Sequence, residues 1–512
     1  MATTAADAPT CTGRGVLLPG APGRLDFSQT PEEKGAELQY ISTRGHAIGQ
    51  YSDVLVEGLA PDGGLAVPET MPTVSAETLE SWRSLSYADL AAEVIGLFAT
   101  DIPREDLTRL THAAYAAEKF EAAETVPLTD IGRGMTLVGL SEGPTLAFKD
   151  MAMQFLGEAM EYVLAKTGSS LNILGATSGD TGSAAEYAFR GRERISIFML
   201  SPLGRMSAFQ RAQMYSLQDA NVHNLAVAGV FDDCQHLVKT LAEDLDFKRA
   251  QHLGAVNSIN FGRISAQIVY YVWAWLRATD AEDAEKRAGF PVSFAVPSGN
   301  FGNILSGYYA KLIGVPIRTL VLASNENNVL DDFFRTGIYR PRTSAETLAT
   351  SSPSMDVSKA SNLERFIFDF VGRDPERTAG LWRELGENGF FDLSAERERF
   401  AAEYGFVSGT STHTDRLDTI RSFAESADIT LDPHTADGAK VALPHVEAGV
   451  PMLVLETAKP RKFPEIIAEA LGSAPEPSAE TRALMDAPQR VEEIPADADA
   501  LRAYIAERAV GR

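Results

Sequence analysis

From about residue 130 onward, short runs of β-branched and aliphatic residues alternate with stretches of helical periodicity. The runs are LNILGA at 171–176, ISIFML at 195–200, VHNLAVAG at 222–229, VSFAV at 292–296 and IRTLVLASN at 317–325. Repetition of strand, loop and helix is typical of α/β folds with a mostly parallel sheet. Such sheets bind ligands in the loops at the carboxyl ends of their strands, so these loops are the first candidates for a functional site.

The first candidate loop is GATSGDTGSAA at 175–185, after which a helix is expected to open at about Ser183. Four polar residues lie among its three glycines: Thr177, Ser178, Asp180 and Thr181. Backbone N–H groups at a helix start bind anions, and glycines let a ligand approach the backbone. The alternative is a loop that only caps the helix, since Ser, Thr and Asp are common N-caps. The glycine content favours a site for a carboxylate or a phosphate.

The second candidate loop, PSGNFGN at 297–303, follows the run VSFAV. Gly299 and Gly302 free backbone amides to point at one anion, and Asn300 and Asn303 add side-chain donors. Taken alone, this loop also fits an ordinary turn between a strand and a helix. Two such loops, together with an unusual lysine, favour a binding site.

That lysine, Lys149, lies between Phe148 and Asp150 in GPTLAFKDMAMQF at 143–155. Apolar neighbours lower a lysine's pKa by desolvation, and a Schiff base requires the neutral amine. The aldehyde that pairs with a lysine and an anion-binding loop is pyridoxal phosphate. In this hypothesis Lys149 binds the carbonyl carbon, one loop binds the phosphate, and the other binds the carboxylate of an amino-acid substrate. In isolation, a lysine extending to the surface is the simpler interpretation.

The charge balance argues against nucleic acid or a membrane as a partner. The chain of 512 residues has 46 Lys and Arg against 70 Asp and Glu, a formal net charge of -24. Such a polyanion repels nucleic acid and anionic lipid at long range. The longest apolar run, IVYYVWAWL at 268–276, is far shorter than the roughly 20 residues that span a bilayer. It predicts a buried helix.

Cysteine content and the N-terminal residues favour a reducing, cytoplasmic setting. Cys11 and Cys234 are the two cysteines, too few for a disulfide framework and without a metal-ligand spacing. The first residues lack the basic start and apolar run of a secretory signal. No metal is expected.

Changes in composition and in hydrophobic periodicity along the chain predict four regions. Residues 1–35 are expected to be a flexible arm and 36–130 a mostly helical N-terminal domain. Residues 131–275 are expected to form an α/β lobe with the lysine and the first loop. Residues 276–512 are expected to form a second α/β lobe with the second loop and a helical insertion at about 340–430.

A series of motifs from Tyr40 to the C-terminus resembles the threonine synthase family, in family order. The family belongs to the longer bacterial and fungal branch of fold type II, the tryptophan synthase β-like pyridoxal phosphate enzymes. The motifs are YISTRG, LAPDGGLAVP, GPTLAFKD, GATSGDTGSAAEYAFRG, NSINFGRISAQIVYY, PSGNFGN, ASNEN, SSPSMDVSKASNLERF, DPHTADG and LETAKPRKF. The resemblance implies two open α/β lobes beside a mostly helical N-terminal domain.

The resemblance also implies roles for individual residues. Lys149 would form the Schiff base with pyridoxal 5'-phosphate, with Phe148 and Asp180 near the cofactor, and Thr457 would hydrogen-bond the pyridine nitrogen. The cofactor phosphate would be held by Ser298, Gly299, Asn300, Phe301, Gly302 and Asn303. The substrate carboxylate would be held by Thr177, Ser178, Gly179 and Thr181. The substrate phosphate would be held by Arg263 with Asn257, Ser258 and Asn260, although a structural role for Arg263 is an open alternative.

The implied enzyme is a carbon–oxygen lyase acting on phosphates, in the last step of threonine biosynthesis. It would convert O-phospho-L-homoserine and water to L-threonine and phosphate, as a monomer or small homo-oligomer. Two alternatives stay open. One is another fold type II lyase, such as a serine/threonine dehydratase or a phospholyase. The other is a catalytically silent relative that binds the cofactor or a protein partner.

Two residues depart from the family pattern. Glu142 stands where many members have His, and Asp437 stands where many have Val. An acid at position 142 would either perturb the pKa of Lys149 or face away from it; the sequence leaves both open.

Overall fold

The computed structural model describes residues 37–511, except Ser178 and Asn257. The arm predicted for 1–35 lies outside the described residues. The strands are β1 (Tyr40–Ser42), β2 (Ala47–Gly49), β3 (Ala66–Pro68), β4 (Leu128–Gly132), β5 (Met135–Val138), β6 (Leu171–Ala176), β7 (Ile195–Pro202), β8 (Val222–Ala228), β9 (Leu253–Gly254), β10 (Val292–Pro297), β11 (Ile317–Ser324), β12 (Ile338–Tyr339), β13 (Phe391–Asp392), β14 (Phe406–Thr410), β15 (Met452–Leu455) and β16 (Glu492–Pro495).

The helices come between these strands and after the last of them. They are α1 (Tyr51–Glu57), α2 (Ala76–Ser81), α3 (Tyr87–Gly96), α4 (Arg104–Ala114), α5 (Lys149–Thr167), α6 (Asp180–Phe189), α7 (Ala208–Tyr215), α8 (Phe231–Glu243), α9 (Leu245–Ala250), α10 (Phe261–Ala278), α11 (Ala284–Arg287), α12 (Gly302–Ile313), α13 (Val329–Thr336), α14 (Leu363–Phe370), α15 (Pro375–Asn388), α16 (Glu398–Ala402), α17 (His413–Ala427), α18 (Pro433–Ala442), α19 (Pro464–Leu471), α20 (Ala479–Asp486) and α21 (Ala498–Arg508).

Two open sheets organise the chain, as the alternating pattern predicts. One has five strands in the order β16-β8-β7-β6-β9, all parallel. The other has six in the order β14-β11-β10-β15-β5-β4, all parallel except β4 against β5. All eight residues of β7 and all six of β10 are buried, which is why these strands are nearly continuous apolar runs.

The sheets do not follow the contiguous division predicted at residues 131–275 and 276–512. Strands β4 and β5 join the sheet built otherwise from later residues, whereas β16 near the C-terminus completes the earlier sheet. Strand β14 is an edge strand inside the insertion predicted to be helical, at 340–430. These differences have one cause: strand pairing across long sequence separations is set by packing of both partners, which local patterns do not record.

The N-terminal region contains α1 to α4, in agreement with its helical periodicity, and also a small antiparallel sheet in the order β2-β1-β3. Tyr40 on β1 is buried, and its ring meets that of Phe261 edge-on at a centroid separation of 5.3 Å. Phe261 begins α10, so the region packs against this helix.

Helix α10 contains the apolar run at 268–276 and is buried along almost its whole length, as predicted. It lies against α3, α5 and α12. In the part of the chain that the structure describes, no helix has the length and hydrophobicity needed to cross a membrane.

Candidate active site

Lys149 is the first residue of α5, and a clamped loop positions it there. The backbone N–H and the hydroxyl of Thr145 donate to the two carboxylate oxygens of Asp150 at 2.8 and 2.7 Å. Gly143 passes so close to this carboxylate that a Cβ at position 143 would lie 2.6 Å from the Asp150 Cβ. The Gly-Pro turn before the lysine is therefore a steric requirement of the loop.

A substitution at Gly143 tests this requirement. We expect Gly143→Ala to lower the free energy of unfolding by about 1–3 kcal/mol, because the added methyl group overpacks a buried loop. A thermal melt measures the effect. The matched control is Gly380→Ala in α15, where an added Cβ meets nothing within 4 Å. That change should be neutral or stabilise by up to about 1 kcal/mol. Equal melting temperatures for the two variants would contradict the steric role of Gly143.

The residues before Lys149 are paired with the segment that contains Thr457. The Phe148 N–H donates to the Thr457 carbonyl at 2.9 Å, and Ala147 forms an antiparallel bridge with Ala458. This pairing holds Thr457, which is 5% exposed, beside the start of α5. The sequence-predicted pyridine partner and the predicted Schiff-base lysine thus lie on neighbouring segments.

The amine of Lys149 lies in a dry and charged environment. The residue is 8% exposed, and its Nζ lies 3.9 Å from Asp180 Oδ2 and 5.1 Å from the centroid of the Phe148 ring. Burial lowers the pKa of Lys149 to about 8; Lys462 and Arg263 add to the effect, and Asp180 opposes it. A substantial fraction of the amine is consequently neutral near physiological pH.

The first candidate loop follows β6, and its helix begins at Asp180, three residues before the predicted start. The Thr177 hydroxyl oxygen accepts from the N–H groups of Gly179 and Gly182 at 3.0 and 2.9 Å. Its own O–H is left to donate elsewhere. Thr177 thus stabilises the loop, as expected for a loop that caps the helix, and its hydroxyl can still donate to a ligand. Thr181 is half-buried, and Ser178 lies outside the described residues.

Several polar side chains surround the carboxylate of Asp180. Its Oδ1 accepts from Lys462 Nζ at 2.8 Å, and its Oδ2 accepts from the Ser354 hydroxyl at 2.7 Å. Burial by itself raises the pKa of Asp180, but Lys462 and Lys149 outweigh it and hold that pKa well below its usual range. Asp180 is therefore a carboxylate throughout the physiological range.

The second candidate loop joins β10 to α12. Ser298 is buried with its hydroxyl donating to the Val296 carbonyl at 3.1 Å, and Phe301 has a φ of +66° immediately before α12 begins at Gly302. Asn300 is exposed. The Asn303 side-chain oxygen accepts from the hydroxyls of Tyr270 and Tyr271 at 2.6 and 2.9 Å, which fixes its amide orientation.

One segment, residues 353–362, contacts both candidate loops. The Ser354 hydroxyl reaches Asp180, while a Cβ on Gly299 would lie 3.0 Å from Val357. The Asn362 N–H donates to the Asn300 carbonyl at 3.1 Å. The structure thus brings the two loops to one place, through a segment to which the sequence alone assigned no contact.

His434 supports this segment from α18. Its Nε2 accepts from the Ser354 N–H at 3.0 Å, so Nδ1 carries the proton and donates to Asp432 Oδ1 at 2.8 Å. Sequence reasoning missed Ser354, His434 and Lys462 as site residues. The available signal was their position inside motifs that resemble the family: SSPSMDVSKASNLERF, DPHTADG and LETAKPRKF.

Arg263 on α10 is 4% exposed, and burial lowers its pKa to about 10. Its Nη1 donates to the Val256 carbonyl at 3.4 Å, and its buried Nε has no hydrogen-bond partner among the described residues. The side chain of Asn260 is engaged within the protein, with Gly262 N–H as its donor and the Leu55 carbonyl as its acceptor. Ser258 contacts Ser361, and Asn257 lies outside the described residues.

The two departures from the family pattern have separate partners. Glu142 forms an ion pair with Lys459. Asp437 pairs through both carboxylate oxygens with Arg416 Nε at 2.9 and 3.1 Å, and both side chains are fully buried. Neither departure removes a group from the surroundings of Lys149.

The residues present fit pyridoxal phosphate. The site offers a buried amine with a lowered pKa, a helix N-terminus after a glycine-containing loop, and a threonine whose backbone carbonyl accepts from the residue before the lysine. The amine suits the aldehyde of the cofactor, the helix N-terminus suits its phosphate, and the threonine suits its ring nitrogen. Among the described residues, no cluster of His, Cys, Asp or Glu is arranged to hold a metal ion.

Comparisons with known proteins agree with this chemistry. Family models described as the threonine synthase N terminus and the threonine synthase C-terminal region match residues 39–115 and 435–505. The threonine synthase of Corynebacterium glutamicum is 52% identical over 92% of this chain and 98% of its own length. A crystal structure of PLP-bound threonine synthase from Brucella melitensis superposes with a TM-score of 0.87 at 40% identity, covering 93% of this chain and 100% of that one. The yeast enzyme structure gives a TM-score of 0.84 at 35% identity, with 92% and 98% covered.

Proposed function

The chain belongs to the threonine synthase family of pyridoxal-phosphate-dependent lyases, and from this premise we propose that its substrate is O-phospho-L-homoserine. The reaction removes phosphate from the γ carbon, adds water at the β carbon and releases L-threonine. It takes place in the cytoplasm, in keeping with a chain of two cysteines.

The observation that supports a phosphorylated substrate is the state of Arg263. A buried guanidinium whose Nε has no partner in the part of the chain that the structure describes carries a desolvation cost that an anion would offset. Arg263 also contributes to the lowered pKa of Lys149, so we place an anion bound to Arg263 near the reacting carbons. A dehydratase acting on serine or threonine has no second anion to place at this position. Ser258, with the predicted partners Asn257 and Asn260, completes the proposed phosphate site.

Lys149 is the proposed attachment point of the cofactor and the proton carrier of the reaction. Bound pyridoxal phosphate supplies an aldehyde for the amine and an electron-accepting ring for the substrate's α carbon. Once displaced by substrate, Lys149 would remove protons from the α and β carbons and return protons to the γ carbon, from which phosphate has left, and to the α carbon, while the hydroxyl group of water bonds to the β carbon. Its pKa of about 8 allows proton transfer in both directions near neutral pH.

The remaining predicted residues bind and orient the cofactor and the substrate. Ser298, Gly299, Asn300, Phe301, Gly302 and Asn303 are the proposed cradle of the cofactor phosphate, and Phe148, Asp180 and Thr457 border its ring. A threonine hydroxyl, unlike a carboxylate, does not hold the pyridine nitrogen protonated. The loop residues Thr177, Ser178, Gly179 and Thr181 hold the substrate carboxylate, to which the free O–H of Thr177 donates.

The test is release of inorganic phosphate from O-phospho-L-homoserine by the purified protein, with the amino-acid product identified. We expect one threonine for each phosphate. Formation of 2-oxobutyrate in equal amount to phosphate would instead identify a phospholyase. Turnover of serine or threonine without any turnover of the phosphorylated substrate would identify a dehydratase.

A further inference from the structure

A second lysine, Lys462, lies in the site described above and has no part in the reaction as proposed. Its side chain is fully buried, on a short turn that follows β15. Its Nζ donates to Asp180 Oδ1 at 2.8 Å and to the Thr145 carbonyl at 2.8 Å. Thr145 is the residue that clamps the loop before Lys149. Lys462 therefore ties Asp180 to the segment that positions the reactive amine.

The distances show which cation Asp180 binds. Lys462 is in hydrogen-bond contact with Asp180 at 2.8 Å, whereas Lys149 lies 3.9 Å from the other carboxylate oxygen. The hydroxyl of Ser354 occupies that oxygen at 2.7 Å. Asp180 is thus already paired without Lys149.

This arrangement answers a chemical difficulty. An uncompensated carboxylate in a dry pocket attracts a proton or a cation strongly. If Lys462 were absent, Asp180 would draw in Lys149 as an ammonium ion, which cannot act as a nucleophile. A charge-balanced Asp180 leaves the amine free to lose its proton.

We infer that Lys462 is a positioning residue, which neutralises and orients Asp180 and so sets the proton affinity of the Lys149 nitrogen. The other charged groups that face this nitrogen are Asp150 on its own helix and Arg263 on α10, and the titratable imidazole of His434 on α18 lies near Asp180. None of these makes the 2.8 Å contact with Asp180 that Lys462 makes. The inference rests on the role proposed for Lys149.

The test is a pH titration of the visible absorption band of the holoenzyme, which reports the proton on the Lys149 nitrogen. We expect Lys462→Met to move the midpoint upward by about one pH unit, because a nearby positive charge is lost. Asp180→Asn should move it downward by a similar amount, because Lys462 is then left unbalanced. The double variant should return close to the wild-type midpoint.

The matched control is Arg461→Met, the adjacent residue, whose guanidinium pairs with Glu121 away from Lys149. Its midpoint should equal that of the wild type. A midpoint for Lys462→Met equal to the control, with only a lower melting temperature, would overturn the inference and leave a purely structural ion pair. If Lys462→Met does not fold, Lys462→Gln decides, because it keeps a donor for Asp180 and the Thr145 carbonyl and removes only the charge: a midpoint equal to the control overturns the inference, and a raised one supports it.

Failure of the proposed function would be seen separately, in the visible band of the Lys149→Ala variant. A visible band that persists and is still reduced by borohydride in Lys149→Ala would show that another residue anchors the cofactor. The midpoints of the Lys462 and Asp180 variants measure charge coupling and do not depend on turnover of any substrate.

Discussion

Lys149→Ala is expected to abolish turnover of O-phospho-L-homoserine, with a fall in kcat of about four to six orders of magnitude. The amine is both the attachment point and the proton carrier in the proposed mechanism, so no other group replaces it. The fold should persist, because the Lys149 amine makes no hydrogen bond to the described residues beyond its 3.9 Å ion pair with Asp180, and the Thr145–Asp150 clamp is untouched. Steady-state kinetics and a thermal melt on one preparation measure both effects.

The control for this substitution is Lys166→Ala near the other end of α5. Lys166 is exposed and lies over the Tyr162 ring, 5.7 Å from its centroid, far from the loop that positions Lys149. It should retain full activity and the visible band. A Lys149→Ala enzyme within about tenfold of the wild-type rate would refute the role given to this residue.

Arg263→Met is expected to lower kcat/KM for O-phospho-L-homoserine by about 10²- to 10³-fold, as removal of one partner of a buried charge pair commonly does. The melting temperature should stay the same or rise, since the substitution removes a buried cation whose Nε has no partner among the residues described. Inorganic phosphate should compete with substrate in the wild type and lose that effect in the variant. The cofactor band should be unchanged.

A second buried arginine provides the contrast. Arg365 is also fully buried, and its guanidinium donates to the Ala66 carbonyl at 2.9 Å, the Asn362 side chain at 2.5 Å and the Ile259 carbonyl at 2.6 Å. Arg365→Met should therefore lower the melting temperature, by several degrees, without selective loss of phosphate inhibition. If Arg263→Met instead destabilises like Arg365→Met and keeps phosphate inhibition, Arg263 is structural.

The parts of the fold that local pattern controls were predictable from the sequence. The buried strands β6, β7 and β10 are nearly continuous apolar runs, and α10 contains the apolar run at 268–276. Strand β14 was not predictable. Only the first of its five residues, Phe406, is fully buried, so FVSGT carries little apolar signal, and its position at the sheet edge depends on β11. Strand β5 joins the later sheet by pairing with β15, and β16 joins the earlier sheet by pairing with β8, so both placements likewise depend on partners that are distant in the sequence.

The candidate site divides in the same way. Lys149 was predictable because a lysine within an apolar helix start is unusual, and the two glycine loops because strand ends in parallel sheets bind ligands. Lys462 was not, since its burial results from contact with Asp180 and Thr145, which lie about 280 and 317 positions earlier in the chain. The ion pair of Glu142 with Lys459 was not predictable either, because it too joins residues that are far apart in the sequence.

The most direct test of the central claim is to reduce the holoenzyme with borohydride and locate the modified residue by peptide mass analysis. Reduction fixes the cofactor permanently to the nitrogen that holds it. A single adduct on Lys149, at the start of α5, is the expected result. An adduct on Lys462 or Lys459 in place of Lys149 would contradict the account, because it would show that the buried amine at 149 is not the group that binds the aldehyde.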